Sequence, residues 1–304
     1  MKRVLVVCYS QTGQLRACVE SLIAPLKESG KVRVDFAELT PEAAYPFPMG
    51  MRGFLATFEP SVLGEPPPIK PLSIDPADKP DLVVLGYQVW YLSPAPPVVA
   101  FLKSPQAEVL RGVPVVALCA CRNMWQRGFT ELRRLVQERG GRLVDHLAVV
   151  DQGPDWATFY TTPRWLVAGR KEGGPFPPAG VSPKAIEGLR EPGRLLLAAL
   201  EAGPVASSVF AGRLEVLEVR RRYLLPEMAA KRVFRVWARA IRAVGGRAPG
   251  LRYPLQLAWF GWLVSSLPLA IPIALTGEVL RLTGSGWYRE QIEKLAQPSG
   301  GVVR

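Results

Sequence analysis

Five short apolar runs alternate with segments of helical periodicity through the first half of the chain. The runs are Val4–Tyr9, Val32–Leu39, Leu82–Gly86, Pro114–Cys119 and Leu143–Val150. Most are apolar at consecutive rather than alternate positions, which is typical of parallel strands buried on both faces. After the first run, one face of a helix over 14–28 carries Leu15, Val19, Leu22 and Leu26. The pattern therefore predicts a parallel sheet covered by helices on both sides.

Further helices are predicted near Pro97–Leu102, over Phe129–Arg139 and over Pro183–Leu200. Two long segments interrupt the alternation. Residues 40–80 contain ten prolines, with a short helix expected around 51–58, and residues 151–181 are irregular but rich in aromatic side chains. Such long loops inside a domain are usually functional or disordered, and the aromatic content favours ordered ones.

The last hundred residues differ in character, and we place a domain boundary between 1–205 and 206–304. No charge occurs from Tyr253 to Gly277. About 20 such residues cover the hydrocarbon core of a bilayer. Three interpretations of 255–275 stay open: a membrane span, a re-entrant or interfacial anchor kinked by its two prolines, and a buried helix of a soluble protein.

The positive charge of the chain is concentrated beside this apolar segment. The net charge is +12, and residues 213–252 hold eleven Lys or Arg against three acids. Within them, 231–242 alternates basic and apolar residues as a lipid-binding amphipathic helix does. We expect residues 231–275 to bind the cytoplasmic face of the cell membrane and do not expect nucleic acid as a partner.

Several kinds of chemistry are disfavoured by the scarcity of histidine. The single histidine, His146, falls inside the fifth predicted strand, so no Ser-His-Asp or Cys-His catalytic set can form. The four cysteines match no zinc-binding spacing, and no metal site is expected. The first apolar run is too short for a secretory signal, so a reduced cytosolic setting is expected.

The loop after the first strand has the composition of a phosphate-binding turn. It reads Ser10-Gln11-Thr12-Gly13-Gln14-Leu15 and leads into the first helix. Hydroxyls, backbone N–H groups and a helix N-terminus converge there on an anion. The loop lacks G-x-G-x-x-G and Gly-Lys-Ser/Thr, and it resembles the FMN phosphate loop of flavodoxin-like proteins, S/T-x-T-G-x-T/L. A plain polar turn is the alternative.

This resemblance implies a flavodoxin-like three-layer sandwich, with a five-stranded parallel sheet in the order 2-1-3-4-5. It also implies FMN contacts from the loops that follow strands three and four. These contain Gln88, Val89, Trp90 and Tyr91, and then Cys121, Arg122, Asn123 and Trp125. Arg122 is a candidate to stabilise negative charge on reduced flavin, and Arg122 and Tyr91 are the candidate catalytic residues. Packing of the aromatic rings, helix capping by Asn123 and a solvated Arg122 are the structural alternatives.

A closer resemblance is carried by motifs spread over most of the chain. They are Ser10–Gln14, Tyr87–Pro94, Cys121–Trp125, Asp151–Pro154, Thr161–Trp165 and Phe176–Gly180. Together they resemble the family called dialkylresorcinol condensing enzymes, which implies a ketosynthase or carrier-protein partner and aromatisation of a cyclic dione to a resorcinol.

We therefore expect a membrane-associated FMN oxidoreductase acting on an apolar quinone or alkylated cyclic dione, with NAD(P)H as a candidate electron donor. The two long loops would cover the substrate. A flavodoxin-type electron-transfer protein docked at the membrane and a flavin-free membrane scaffold are the alternatives.

Overall fold

The chain is built around a five-stranded parallel sheet in a computed structural model that describes residues 1–211 and 221–296. The strands are β1 (Lys2–Cys8), β2 (Val32–Glu38), β3 (Leu82–Tyr87), β4 (Pro114–Cys121) and β5 (Arg142–Val150). Their order across the sheet is β2-β1-β3-β4-β5, with every neighbouring pair parallel. The predicted flavodoxin-like fold and strand order are confirmed.

Helices surround the sheet and then continue beyond it. In chain order they are α1 (Gln14–Glu28), α2 (Gly50–Ala56), α3 (Phe58–Leu63), α4 (Pro96–Lys103), α5 (Gln126–Glu138), α6 (Asp155–Ala168), α7 (Pro183–Glu187), α8 (Arg190–Ala202), α9 (Arg221–Arg247), α10 (Arg252–Ser266), α11 (Ala270–Leu282) and α12 (Gly286–Ala296). One core packs α1 and α8 against the sheet, and the other packs α4 and α5 against its opposite face. The central strands are apolar throughout because both of their faces are buried.

Three local features differ from the sequence-based expectation. The segment 151–181 contains the 14-residue helix α6, the helix expected over 183–200 is divided into α7 and α8, and the helix expected around 51–58 is a pair. Helix α6 lacks an amphipathic pattern because Trp156 and Tyr160 are exposed on it, and Pro163 lies inside it. Because of these residues, the sequence of α6 shows no clear apolar face, and the helix is not predicted.

Residues 221–296, which we name the C-terminal helical unit, pack against the sheet domain rather than standing apart from it. Trp259 of α10 is fully buried and stacks on Phe58 of α3 with ring centroids 3.6 Å apart. The buried carboxylate of Glu59 accepts hydrogen bonds from Arg252 Nε at 2.9 Å and Gln256 Nε2 at 2.7 Å. The unit is thus held by apolar stacking and by a paired buried charge.

Residues 213–220 of the basic stretch 213–252 lie outside the described residues. Within the described chain, the helical stretch Pro249–Leu282 is long and apolar enough to cross a membrane, with 34 residues. Only 6% of its most apolar window is buried against the rest of the protein.

Lys231, expected on a lipid-facing surface, is instead buried inside the protein. Its Nζ donates to Leu92 O at 3.1 Å, to Glu131 Oε2 at 3.1 Å and to Ser93 Oγ. Burial lowers the pKa of this ammonium, and the nearby Glu131 carboxylate opposes that shift. Of the basic residues in 231–242, Lys231 therefore belongs to the protein interior and is not available to a lipid surface.

We predict that Lys231→Met destabilises the protein by about 3 kcal/mol, because removing one partner leaves a largely buried carboxylate and carbonyl unpaired. The matched control is Arg232→Met on the exposed side of the same helix, which should change stability by less than about 0.5 kcal/mol. Urea unfolding followed by circular dichroism measures both. Equal effects of the two substitutions would contradict the structural role of Lys231.

Candidate functional site

The loops that follow β1, β3, β4 and β5 meet at the carboxyl edge of the sheet, where ligands bind in this kind of fold. In the first loop, Ser10 Oγ accepts from the Arg16 backbone N–H at 3.2 Å. Gly13 precedes α1 with φ of 80°, and a Cβ built on it would meet nothing within 4 Å. The first N–H groups of a helix lack intrahelical acceptors. The loop is therefore an open cradle at a helix N-terminus.

The glutamines of this loop bind protein groups through their side chains. Gln11 Nε2 donates to Pro46 O at 2.8 Å, and Gln14 Nε2 donates to Val181 O at 3.3 Å. Leu15 is buried in the core. Gln11 and Gln14 thus connect the cradle to the two long loops, while the Thr12 hydroxyl has no hydrogen-bond partner among residues 1–211 and 221–296.

The loop after β3 separates two neighbouring aromatic residues. Trp90 contacts Tyr9 and Tyr45 edge to face, with centroids 6.1 and 5.2 Å apart. Tyr91 turns the other way, packs on Phe58 and donates its hydroxyl to Phe54 O at 2.6 Å. Trp90 therefore remains beside the cradle, whereas a catalytic role for Tyr91 has no support from this placement.

A two-residue turn explains that separation. Val89–Trp90 pairs with Ser93–Pro94 as a short antiparallel hairpin, and Tyr91 and Leu92 both adopt positive φ, at 49° and 61°. Consecutive positive φ values define a type I′ turn, which normally favours Asn or Gly. In this fold, Gln88 Oε1 accepts from the Gln11 N–H at 3.4 Å, and Val89 packs on Gly128.

The loop after β4 brings two polar residues to the site and sends an aromatic one into the core. Arg122 Nη1 donates to Thr158 Oγ1 at 3.0 Å, and its guanidinium lies 4.0 Å from the centroid of the Phe159 ring. Asn123 Nδ2 donates to Asp155 and to Tyr223 OH. Trp125 is buried, with its ring against Phe129 and His146, and Cys121 is half-buried. Burial lowers the pKa of Arg122 from its ordinary value.

Helix α6 covers the gap between the first and third loops with one buried face. At one end of this face Thr158 accepts from Arg122, and at the other Trp165 lies beside Gly180 and the Gln14 side chain. Thr161 lies between these two ends. Its hydroxyl oxygen is buried and has no hydrogen-bond partner in the described chain. Thr162 Oγ1 and two guanidinium nitrogens of Arg164 on the same helix are likewise buried without a partner, so the Thr161 hydroxyl does not by itself mark a ligand site.

The two long loops meet over the same edge. The Met49 N–H donates to Leu166 O at 2.8 Å, and the Phe47 and Trp165 rings lie 6.2 Å apart. Asp151 fixes the second loop by accepting from the Gly153 N–H at 2.8 Å and the Gly180 N–H at 2.6 Å. Burial raises the pKa of Asp151 despite these hydrogen bonds.

Sequence reasoning missed the contribution of α9 to this site. Glu227 is fully buried and accepts from the Arg127 N–H at 2.7 Å and from Gln126 Nε2 at 3.2 Å. It thereby caps the N-terminus of α5, directly after the loop that carries Arg122 and Asn123. The detectable signal was an acid and a base four residues apart, at 227 and 231, on the apolar face of α9.

The remaining reactive side chains belong to the core. His146 Nε2 lies 2.9 Å from Tyr87 OH, its ring stacks on Phe129, and burial lowers its pKa to about 3. Burial raises the pKa of Cys119 well above its ordinary value, which keeps the thiol protonated. Over the described residues, no cluster of three or more His, Cys, Asp or Glu could hold a metal ion.

Comparison with known proteins finds solved structures of the same fold class at low similarity. A flavoprotein from Lactobacillus acidophilus NCFM, solved in complex with FMN, is 18% identical over 49% of this chain and 93% of its own, with a TM-score of 0.40. Two-electron-reduced Megasphaera elsdenii flavodoxin is 16% identical over 48% of this chain and 84% of its own, with a TM-score of 0.31. The Trp repressor binding protein of Bacillus subtilis is 5% identical over 55% and 98%, with a TM-score of 0.30.

No protein-family model matches the chain, and no curated protein matches it. The flavodoxin-like class of the fold therefore rests on the strand order and on the alternation of strands and helices in this chain.

We predict a pH dependence of stability that Glu227 generates. Burial raises the pKa of Glu227 to about 7, against about 4.3 for an ordinary Glu. The folded state then binds more protons than the unfolded state between these values, so this contribution to stability falls as the pH rises from about 4.5 through 7. Relative to wild type, Glu227→Gln should be more stable at pH 8 than at pH 5 in urea unfolding. Parallel stability profiles would contradict the burial of an ionisable group there.

Proposed function

We propose that this protein is an FMN-dependent oxidoreductase that works at a membrane surface on an apolar ring substrate, either a quinone or an alkylated cyclic dione. The observation that carries the flavin part is the open cradle at the start of α1, where Gly13 has free space around it and no side chain caps the helix. Trp90 and Arg122 lie at the same edge of the sheet, which favours a ligand with a phosphate and a planar ring system, such as FMN.

The described residues fit FMN at both ends of the site. The open cradle formed by Thr12, Gly13 and the N-terminus of α1 suits its phosphate, because N–H groups and a hydroxyl are free to donate there. Trp90 and Arg122 would border the ring system. When bound, FMN supplies hydride acceptance and donation. Arg122 holds a positive charge in a poorly solvated place, which favours an anionic ring edge over a neutral one.

The apolar character of the substrate is supported by side chains at the entrance. Trp156 and Tyr160 are 68% and 52% exposed, and both pack on Phe176 beside the residues that cover the cradle. Aromatic side chains left exposed as a group are typical of binding sites for apolar partners. Aromatisation of a dione to a resorcinol is the particular reaction that the family resemblance adds, with NAD(P)H a candidate donor for quinone reduction.

The first experiment is purification of the full chain in detergent, identification of any bound chromophore and assay with quinones and NAD(P)H. We expect FMN and steady quinone-dependent NAD(P)H oxidation. Bound FMN that is reduced by NAD(P)H or another donor without turnover on a ring substrate would favour an electron-transfer protein. A colourless protein that takes up no FMN would contradict both flavin-dependent functions and leave the flavin-free scaffold as the remaining alternative.

We predict that Thr12→Val lowers the affinity for FMN about tenfold while leaving the apoprotein as stable as wild type. The valine keeps the volume and removes a hydroxyl that lacks a partner without ligand. The matched control, Thr130→Val on α5, removes a hydroxyl that is bonded to Gln126 O and should leave FMN affinity unchanged. Fluorescence titration with FMN gives both affinities. An unchanged affinity for Thr12→Val would remove the main support for a flavin phosphate in the cradle.

We also predict that Arg122→Gln makes the midpoint potential of the bound flavin more negative, because reduction adds negative charge that the guanidinium stabilises. Arg194→Gln, an exposed arginine on α8, is the control and should leave the potential unchanged. Spectroelectrochemical titration measures both. A potential for Arg122→Gln equal to wild type would show that Arg122 does not face the ring.

A further inference from the structure

The outer surface of α10 and α11 carries no charge from Tyr253 to Gly277, and the exposed ion pair of Glu278 and Arg281 lies near its end. Its exposed large side chains are Leu257, Val264, Leu269, Ile271, Leu275, Val279 and Leu282. Soluble proteins rarely expose an apolar surface of this extent to water, and such surfaces mark contacts with proteins or membranes. The surface therefore requires a covering partner.

The beginning of this helical stretch is fixed to the sheet domain. Arg252 and Gln256 both donate to the buried carboxylate of Glu59, and Trp259 stacks on Phe58. The first turns of α10 consequently have one face bound to α3 while the opposite face is exposed.

The end of the stretch returns to the same domain. Gly277 of α11 packs against Leu225 of α9, and the buried Tyr288 of α12 lies against the start of α9, where its hydroxyl donates to Arg221 O at 3.3 Å. Further along α12, Lys294 O accepts from Arg133 Nη1 of α5 at 2.5 Å. Both ends of the apolar stretch are thus attached to the body that carries the flavin-type loops.

This attachment is incompatible with a membrane span. A spanning helix places its ends on opposite sides of a hydrocarbon layer about 30 Å thick. The segment Pro249–Leu282 has 34 residues, or about 51 Å of helix. Its start nevertheless contacts α3, and α12, which follows its end after a short turn, contacts α5 of the same domain. A membrane can therefore meet only the outward face of this stretch.

Positive charge lies along one margin of this helical surface. Arg232, Arg235 and Arg239 are exposed on the flank of α9 that is turned away from α10, where Arg232 and Arg235 lie near Arg127 of α5. On the opposite flank of α9, Trp237 meets Trp262 of α10 with ring centroids 6.2 Å apart, and both rings are half-exposed. Exposed arginines at the margin of an apolar surface that contains half-exposed tryptophans are suited to anionic lipid headgroups.

We propose that α10 and α11 lie in the plane of an anionic lipid surface, inserted by their apolar face and bordered by the arginines of α9, with both ends of the stretch on the same side of the membrane. This inference rests on the membrane association in the proposed function. It assigns one orientation: the sheet domain, with its aromatic entrance, stays on the side from which the helices insert.

The binding test uses the full chain with vesicles of neutral phosphatidylcholine or of phosphatidylcholine containing phosphatidylglycerol. We expect flotation with the anionic vesicles and at least tenfold weaker partitioning for Arg235→Glu/Arg239→Glu, at about 1 kcal/mol per basic residue. The control Lys184→Glu/Arg194→Glu makes the same change of charge on the opposite side of the sheet and should retain binding. No flotation with anionic vesicles, or equal loss in both double variants, would overturn the proposal.

The topology test labels Gly246→Cys and Arg289→Cys, one at each end of the stretch, with a membrane-impermeant maleimide in sealed membranes of one orientation. The proposal predicts equal labelling of both from the same side before detergent, with unsubstituted protein as the background. Labelling from opposite sides would show a span and overturn it. Flavin content, measured on the same samples, separates a failure here from a failure of the flavin assignment.

Discussion

The structure depends on two buried ionisable side chains that lie one helical turn apart on α9. Glu227 binds the N-terminus of α5 behind the Arg122 loop, and Lys231 binds the carbonyl of Leu92 in the strained turn of the β3 loop. Burying an ion is costly unless its hydrogen bonds are made, so these contacts define a single docked position for α9. In this position, α9 holds the loop after β3 and the start of α5, which follows the Arg122 loop, on the side away from the candidate flavin site.

This arrangement joins regions that the sequence separates into a cofactor domain and a membrane segment. The apolar stack of Phe58 and Trp259 and the ion pair between Arg252 and Glu59 extend the contact from α9 to α10. Packed side chains therefore connect α10 and α11 with the loops at the sheet edge. The membrane attachment proposed for these helices would orient the site rather than merely tether it.

The local sequence predicted those elements whose hydrophobic pattern depends only on their own burial and not on distant partners. Continuous apolar runs marked β1, β3 and β4 because both faces are buried, and Ser10 to Leu15 marked the cradle because its turn and helix start are adjacent in sequence. What escaped prediction depends on distant partners. Tyr91 turns inward because Trp259 of α10 packs on its ring. Lys231 is buried because Glu131 and Leu92 O accept hydrogen bonds from its ammonium group. The contact between Arg122 and Thr158 likewise arises only because α6 folds over the loop that follows β4.

The central claim is that the sheet edge binds FMN by its phosphate as well as its ring. The most direct measurement compares the affinities of the purified full chain for FMN and for riboflavin by fluorescence quenching. Binding of one FMN per chain, at least tenfold tighter than riboflavin, is the predicted result, because only FMN has a phosphate for the Thr12–Gly13 cradle at the start of α1. Equal affinity for the two flavins, or no binding of either, would contradict the account.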